Sequence, residues 1–235
     1  MMKRPGGELA TRPLHFIWLA DCSGSMSVEG KIQSLNNAIR EAIPNMQKIA
    51  RENPNAQVYV RAVRFSTGAR WHIGQPTRVE DFRWYDLTAD GVTDMGQAFS
   101  LVAEELRIPP MTERALPPVL VLVSDGQPTD DYARGLKEIM ELPWGRKSVR
   151  IAIAIGSDAD YGVLQGFIAN SELHPLQANS PEALVSYIKW ASTAVLKAAS
   201  SPPSQLNKDS GPAGNVPIPA PPVLDGGPAS PTDVW

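Results

Sequence analysis

Two hydrophobic periodicities alternate along the chain. Short runs that are apolar throughout are followed by longer stretches in which apolar residues recur every three or four positions, the pattern of buried strands alternating with amphipathic helices. The first run, residues 14–20, carries Leu14, Phe16, Ile17, Trp18, Leu19 and Ala20 and reads as a strand buried on both faces. Residues 31–52 then place Ile32, Leu35, Ile39, Ile43, Met46 and Ile49 on one helical face, and Pro44 predicts a kink or break near Ala42. Residues 57–65 and 69–74 read as a hairpin turning between Ser66 and Gly68, with Arg61, Arg64 and Arg70 expected to form a solvated rim on that sheet edge.

An aromatic segment with Phe82, Trp84 and Tyr85 leads into a helix over 95–108, with Phe99, Val102, Ala103 and Leu106 inward and Thr93 or Asp94 at its N-cap. The aromatics read as anchors of their own core, and a peptide-docking Trp84 is the rival role. After a breaker-rich loop come a strand over 119–123, a helix over 132–142, a strand over 149–155, a helix over 161–168, a short strand over 174–177 and a final helix over 181–199.

Strands alternating with helices, broken once by a hairpin, predict an α/β fold. It is a doubly wound, Rossmann-like, mostly parallel six-stranded sheet with one antiparallel edge strand and helices on both faces. The expected strand order is three, two, one, four, five, six, which makes the first and fourth strands neighbours at the topological switch point. Residues 14–199 form the domain and 1–13 an N-terminal extension. Over 200–235 Pro and Gly dominate and periodicity vanishes, predicting a disordered tail in which 216–222 has polyproline II character and Ser230 and Thr232 offer phosphate acceptors.

Oxygen-bearing side chains interrupt the apolar pattern at three places. The first strand stops at Asp21, Ser23 and Ser25; a turn before the 95–108 helix carries Thr93; the 119–123 strand ends near Asp125. Two carboxylates and three hydroxyls, with no thiolate or imidazole, make a hard donor set suited to Mg²⁺, Mn²⁺ or Ca²⁺. Mg²⁺ is the first choice, because it keeps several waters and takes one or two carboxylates, whereas a Ca²⁺ cage wants more charge.

These residues resemble the metal-ion-dependent adhesion site (MIDAS) of the von Willebrand factor type A (VWA) family, Asp-x-Ser-x-Ser with a distant Thr and a distant Asp. Asp21, Ser23, Ser25, Thr93 and Asp125 match it in order. The resemblance spans residues 14–197 and is nearest to intracellular bacterial members such as those of tellurium-resistance operons. It implies that Ser23, Ser25 and Thr93 reach the metal directly, that Asp21 and Asp125 act mainly through water, and that a partner's Glu or Asp completes the shell. Met26, Asp94 and Gln127, on the surrounding loops, are expected to supply selectivity. The resemblance also implies a setting, an assembly with a Ser/Thr protein kinase and a metal-dependent protein phosphatase, or with an AAA+ ATPase, in stress response or defence. One departure is Val92, where the family often has a second Gly and a β-branched residue disfavours positive φ.

Composition narrows the alternatives. A formal charge of −3 with no basic run argues against nucleic acid, and no apolar run approaches the ~20 residues of a membrane span. The amino terminus lacks the apolar region of a signal peptide, and a single cysteine, Cys22, fits a reducing compartment, so the cytoplasm is expected. No enzymatic activity is expected. The Gly24 to Lys31 segment has the wrong spacing for a phosphate-binding loop, with Ile32 in place of the required hydroxyl, and His15, His72 and His174 have no placed acid partner. A metal-dependent hydrolase is the rival reading, and it lacks a base, a phosphate clamp and a nucleophile. Asp158 and Asp160 read as a turn and helix cap in preference to a second acidic pair at the metal edge.

Overall fold

The first apolar run becomes the central strand of a six-stranded sheet. The structure, a computed structural model, describes residues 11–53, 55–125, 127–201 and 216–224. Strand β1 (Arg12–Asp21) is followed by α1 (Lys31–Glu52), the hairpin β2 (Ala56–Ser66) and β3 (Gly68–Arg78), α2 (Met95–Glu105) and β4 (Val119–Ser124). The chain continues through α3 (Tyr132–Glu141), α4 (Pro143–Lys147), β5 (Val149–Ile155), α5 (Tyr161–Ile168), β6 (Leu176–Ala178) and α6 (Pro181–Trp190), which runs on through a π-helical turn, Ala191–Val195, into α7 (Leu196–Ser200). Strand order is β3-β2-β1-β4-β5-β6, with β3 alone antiparallel, as the pattern predicts.

Alternation along β1 divides the core into two layers. Phe16, Trp18 and Ala20 face one side with Leu35, Ile39 and Met46 of α1 and Leu184 and Ile188 of α6. Ile17 and Leu19 face the other with Phe99 and Val102 of α2, Ile139 of α3 and Phe167 of α5. Strands covered on both faces need no polar alternation, which is why β1, β4 and β5 read as unbroken apolar runs. Because β1 is flanked by β2 and β4, its carboxyl end and that of β4 open side by side on one edge of the sheet.

Where the structure departs from the pattern, the reasons are local. Helix α1 runs unbroken through Pro44; Pro44 and Arg40, whose carbonyl loses its helical donor, both lie on the exposed face of the helix. Arg61 is no solvated rim. It is 5% exposed, with its guanidinium 3.8 Å over the Trp71 ring and 2.5 Å from Glu105 on α2, whereas Arg70 does lie in solvent and Arg64 is half-buried. Trp84 is buried and donates to Asn36 Oδ1 at 3.0 Å, which rules out a peptide-docking role; Tyr85 is the aromatic left exposed. Helix α3 ends one residue earlier than periodicity suggests, because the residue before Pro143 is pushed out of helical backbone, as Leu142 shows with ψ at 142°; α2 also ends early, at Glu105. Pro143 then starts the unanticipated α4.

The tail is not wholly detached. Residues 216–224 form neither helix nor strand, but Val216 and Ile218 pack on the core and Trp190 Nε1 donates to the Ala220 carbonyl at 3.1 Å. The residues before Thr11, and Ser230 and Thr232, lie outside the described residues. Among the described residues no helix is long and apolar enough to cross a membrane.

Candidate metal centre

The sheet edge built by β1 and β4 carries four of the candidate oxygen donors, Asp21, Ser23, Ser25 and Asp125. Asp21 ends β1 and is fully buried: its Oδ1 accepts from the Ser23 backbone N–H at 2.8 Å and its Oδ2 from the Ser124 hydroxyl at 2.5 Å. The first bond folds the chain into an Asx-type turn that brings Ser23 back over the strand end. Ser23 and Ser25 then stand with their hydroxyls 3.0 Å apart, Ser23 buried and Ser25 exposed. Asp125 follows β4 and is 5% exposed.

Electrostatics mark the pair of carboxylates. Burial, reinforced by the neighbouring Asp125 charge, pushes the Asp21 carboxyl up to about 6 against the help of its hydrogen bonds from Ser124 and Ser23. Among the described residues Asp125 Oδ1 is buried and has no hydrogen-bond partner. A buried carboxylate oxygen without a donor costs about 1–3 kcal/mol or more, so its persistence calls for an explanation. A cation supplies one. Among the described residues no group of three or more His, Cys, Asp or Glu side chains converges, so a cation here would need hydroxyl oxygens beside the two carboxylates.

Thr93 is 6% exposed and is held by a latch that sequence reasoning did not find. The Thr93 N–H donates to Thr129 Oγ1 at 3.0 Å and the Thr93 carbonyl accepts from the Thr129 N–H at 2.9 Å. Thr129 Oγ1 also lies 3.2 Å from Asp94 Oδ1, and the carboxylate of Asp130 accepts from the N–H groups of Gly96 and Gln97 at 2.8 and 2.9 Å. Asp94 stands at the N-cap of α2, as the pattern predicts, but its side chain takes no first-turn N–H; that part is played by Asp130 from the loop after β4. Helices α2 and α3 are close enough for this because Gly96 and Gly135 meet backbone to backbone: a Cβ on Gly135 would stand 2.3 Å from the Gly96 carbonyl oxygen. On the other side, the Gly24 N–H donates to the Gly91 carbonyl at 3.0 Å, tying the Ser23 turn to the Thr93 loop. Gly91 carries the loop's positive φ, 73°, so Val92 in place of a second Gly is no obstacle.

The loops expected to contact a partner divide. Met26 is fully buried and presents nothing to a partner, a correction forced by the turn that folds it inward to fill the apolar layer under α1. Asp94 spends its carboxylate inside the protein, accepting from the Gly68 N–H at 2.7 Å and from Gln97 Nε2 at 3.0 Å. Gln127 is exposed and donates to the Asp158 carbonyl at 2.6 Å. Asp160 caps α5, accepting from the Val163 N–H at 3.1 Å. Cys22 is buried, and burial pushes its thiol up to about 12, which leaves it unreactive.

No protein-family model and no curated protein matches the chain. Solved structures do: this is the fold of von Willebrand factor type A domains. A von Willebrand factor type A protein from Catenulispora acidiphila superposes with a TM-score of 0.61 at 18% identity, over 80% of this chain and 43% of that one. The VWA2 paralogue of ArnB from Sulfolobus acidocaldarius gives 0.56 at 18% identity, over 75% and 44%. Proximal thread matrix protein 1 from the mussel byssus, in a form with a zinc-occupied MIDAS motif, gives 0.58 at 18% identity, over 82% and 49%. The chain thus spans less than half the length of each of these proteins.

Proposed function

We propose that the chain is a protein-interaction module whose binding depends on a divalent cation, Mg²⁺ in the first instance, held by Asp21, Ser23, Ser25, Thr93 and Asp125. The observation that carries this reading is the buried, undonated Asp125 Oδ1 beside an Asp21 carboxyl already pushed up by that same charge. Bound there, the cation supplies an electrophilic centre for an acidic oxygen from outside. The chain's own residues do the rest. Asp21 and Asp125 contribute the two negative charges, Ser124 and the Ser23 N–H hold Asp21 in place, and the Thr129–Asp130 latch holds the loop that carries Thr93. The mussel protein with zinc in its MIDAS motif supports divalent-cation binding on this fold.

The partner proposed is a protein offering Glu or Asp to the metal. The setting proposed is cytoplasmic, in a bacterial stress-response or defence assembly like those of tellurium-resistance systems, with a Ser/Thr kinase, a metal-dependent protein phosphatase or an AAA+ ATPase as partner. No catalysis is assigned to the site. Titration calorimetry with MgCl₂ and MnCl₂ tests the metal reading: one saturable site is expected, lost in Asp125→Ala and Thr93→Ala while circular dichroism stays unchanged. Unaltered binding in both variants would refute it.

A further inference from the structure

Next to the metal edge, on the far side of the 90–92 backbone, lies a second feature that the metal reading does not use. A polar cavity of about 560 Å³ is lined by Arg64, Ser66, Thr67, Arg70, Thr88 and Asp90 together with the Gly68 and Gly91 backbone. Arg64 and Arg70 are direct partners across the β2–β3 hairpin, so their side chains leave the same face of the sheet. Like charges directly opposite each other are destabilising in a sheet. Among the described residues neither guanidinium forms an ion pair; Asp90, the one acid in the lining, pairs with neither, which leaves two positive charges against one negative in the cavity. Arg64 reaches only the Ser66 hydroxyl, at 3.4 Å, and the Cys22 thiol. Both arginines also help to hold the His72 imidazole below its usual range, after burial, which adds a neutral ring and no negative charge to the same face.

The cavity and the metal edge share a wall. Gly91 lines the cavity, and its carbonyl takes the Gly24 N–H between Ser23 and Ser25. Ser66 and Thr67 line the cavity too, and the Ser66 carbonyl accepts from the Asp94 N–H beside Thr93 at 2.9 Å. A ligand crossing from one to the other passes over a single backbone segment, roughly 10 Å or two strand spacings, which an extended chain covers in about three residues.

We infer that this Arg64–Arg70 cavity takes a second anionic side chain of the partner, so that the partner's docking segment carries two acidic groups about three residues apart, one for the metal and one for the arginines. Paired guanidiniums flanked by hydroxyls match a carboxylate or a phosphorylated hydroxyl, both of which accept several N–H and O–H donors at once. The inference rests on the metal reading for the first acid only; the arginine cavity is independent of the cation.

Three fluorescein-labelled hexapeptides of glycine and serine separate the possibilities: one with a single glutamate, one with a second glutamate three residues on, and one with phosphoserine at that second place. Their binding is followed by anisotropy in Mg²⁺ and in EDTA, with the natural chain, Arg70→Gln, the double variant Arg64→Gln/Arg70→Gln, and Asp125→Ala. The second acid is expected to tighten binding to the natural chain about tenfold in Mg²⁺, and the double variant to lose that gain while keeping the single-glutamate affinity and the calorimetric Mg²⁺ response that shows it folded. A larger gain from phosphoserine than from glutamate identifies a phosphorylated partner, and equal gains an acidic one. A second acid that adds nothing, or a gain that survives removal of both guanidiniums, overturns the inference. Single-glutamate binding that ignores EDTA and Asp125→Ala overturns the metal reading instead, and no binding by any peptide overturns both.

Discussion

Replacing Asp21 by Asn separates the cost of the buried carboxylate from its use. In the metal-free protein the Asp21 carboxyl titrates near 6 against an ordinary value of 3.8, a displacement of about 2 pH units or about 3 kcal/mol at 1.36 kcal/mol per unit. The folded state therefore holds this proton more tightly than the unfolded chain, so stability from this group is greatest below 3.8, falls as pH rises towards about 6, and stays low above it. His15 runs the other way: burial, then the charge of Arg61, lowers it from 6.5 to about 4, so its contribution is present above 6.5 and is lost as pH falls towards 4. The two slopes oppose each other over the same window, and the natural chain alone will show a nearly flat profile. The difference between it and Asp21→Asn isolates the carboxylate. Asparagine still accepts from the Ser23 N–H and gives up the charge that Asp125 opposes. Urea unfolding in EDTA between pH 4 and 8 should find the variant equal to the natural chain at pH 4 and more stable by about 3 kcal/mol at pH 7.5. In millimolar Mg²⁺ the natural chain should gain stability with ligand concentration and the variant should not. A difference that does not change with pH, or a natural chain that is the more stable of the two at pH 7.5 in EDTA, would refute the reasoning.

Three other outcomes follow from the same geometry. Asp130→Ala removes the acceptor for two first-turn N–H groups of α2, and should cost about 1–2 kcal/mol in thermal or urea unfolding while weakening Mg²⁺ binding without touching a ligand. Gly135→Ala would gain about 1 kcal/mol on an isolated helix, but a Cβ 2.3 Å from the Gly96 carbonyl must push α2 from α3, so unfolding experiments should show a net loss of about 2 kcal/mol. Purified protein should release no phosphate from p-nitrophenyl phosphate in Mg²⁺ or Mn²⁺; turnover abolished by Thr93→Ala would make the site an enzyme's.

Legibility in the sequence tracked the range of the interaction. Strands buried on both faces announce themselves in consecutive residues, so β1, β4 and β5 fall within a residue or two of the apolar runs, and the order of alternation sufficed for the sheet. The five candidate donors stand at strand ends and before a helix start, positions that consecutive residues also mark. What stayed hidden joins distant segments. Asp130 reads locally as part of the turn before α3, yet it caps α2, 34 positions back at Gly96. Arg61 looks like any charge on an edge strand until Trp71 and Glu105 are brought around it. Met26 sits in a loop by sequence and in the core by structure, because burial there depends on a 3-10 turn with no periodic signature. The contact of Trp190 with Ala220 crosses 30 positions in the same way.

The reciprocal hydrogen bonds between Thr93 and Thr129, with Asp130 reaching over to α2, bear on how this edge could be moved to another scaffold. The five proposed donors grafted alone would leave the threonine on a loose strap, free to swing, and any cation bound there would have to organise it at the expense of affinity. The transferable piece is larger: the loop from 127 to 131 must travel with the turn from 91 to 97, and both glycines at the crossing of α2 and α3 must come along so that the two can lie together.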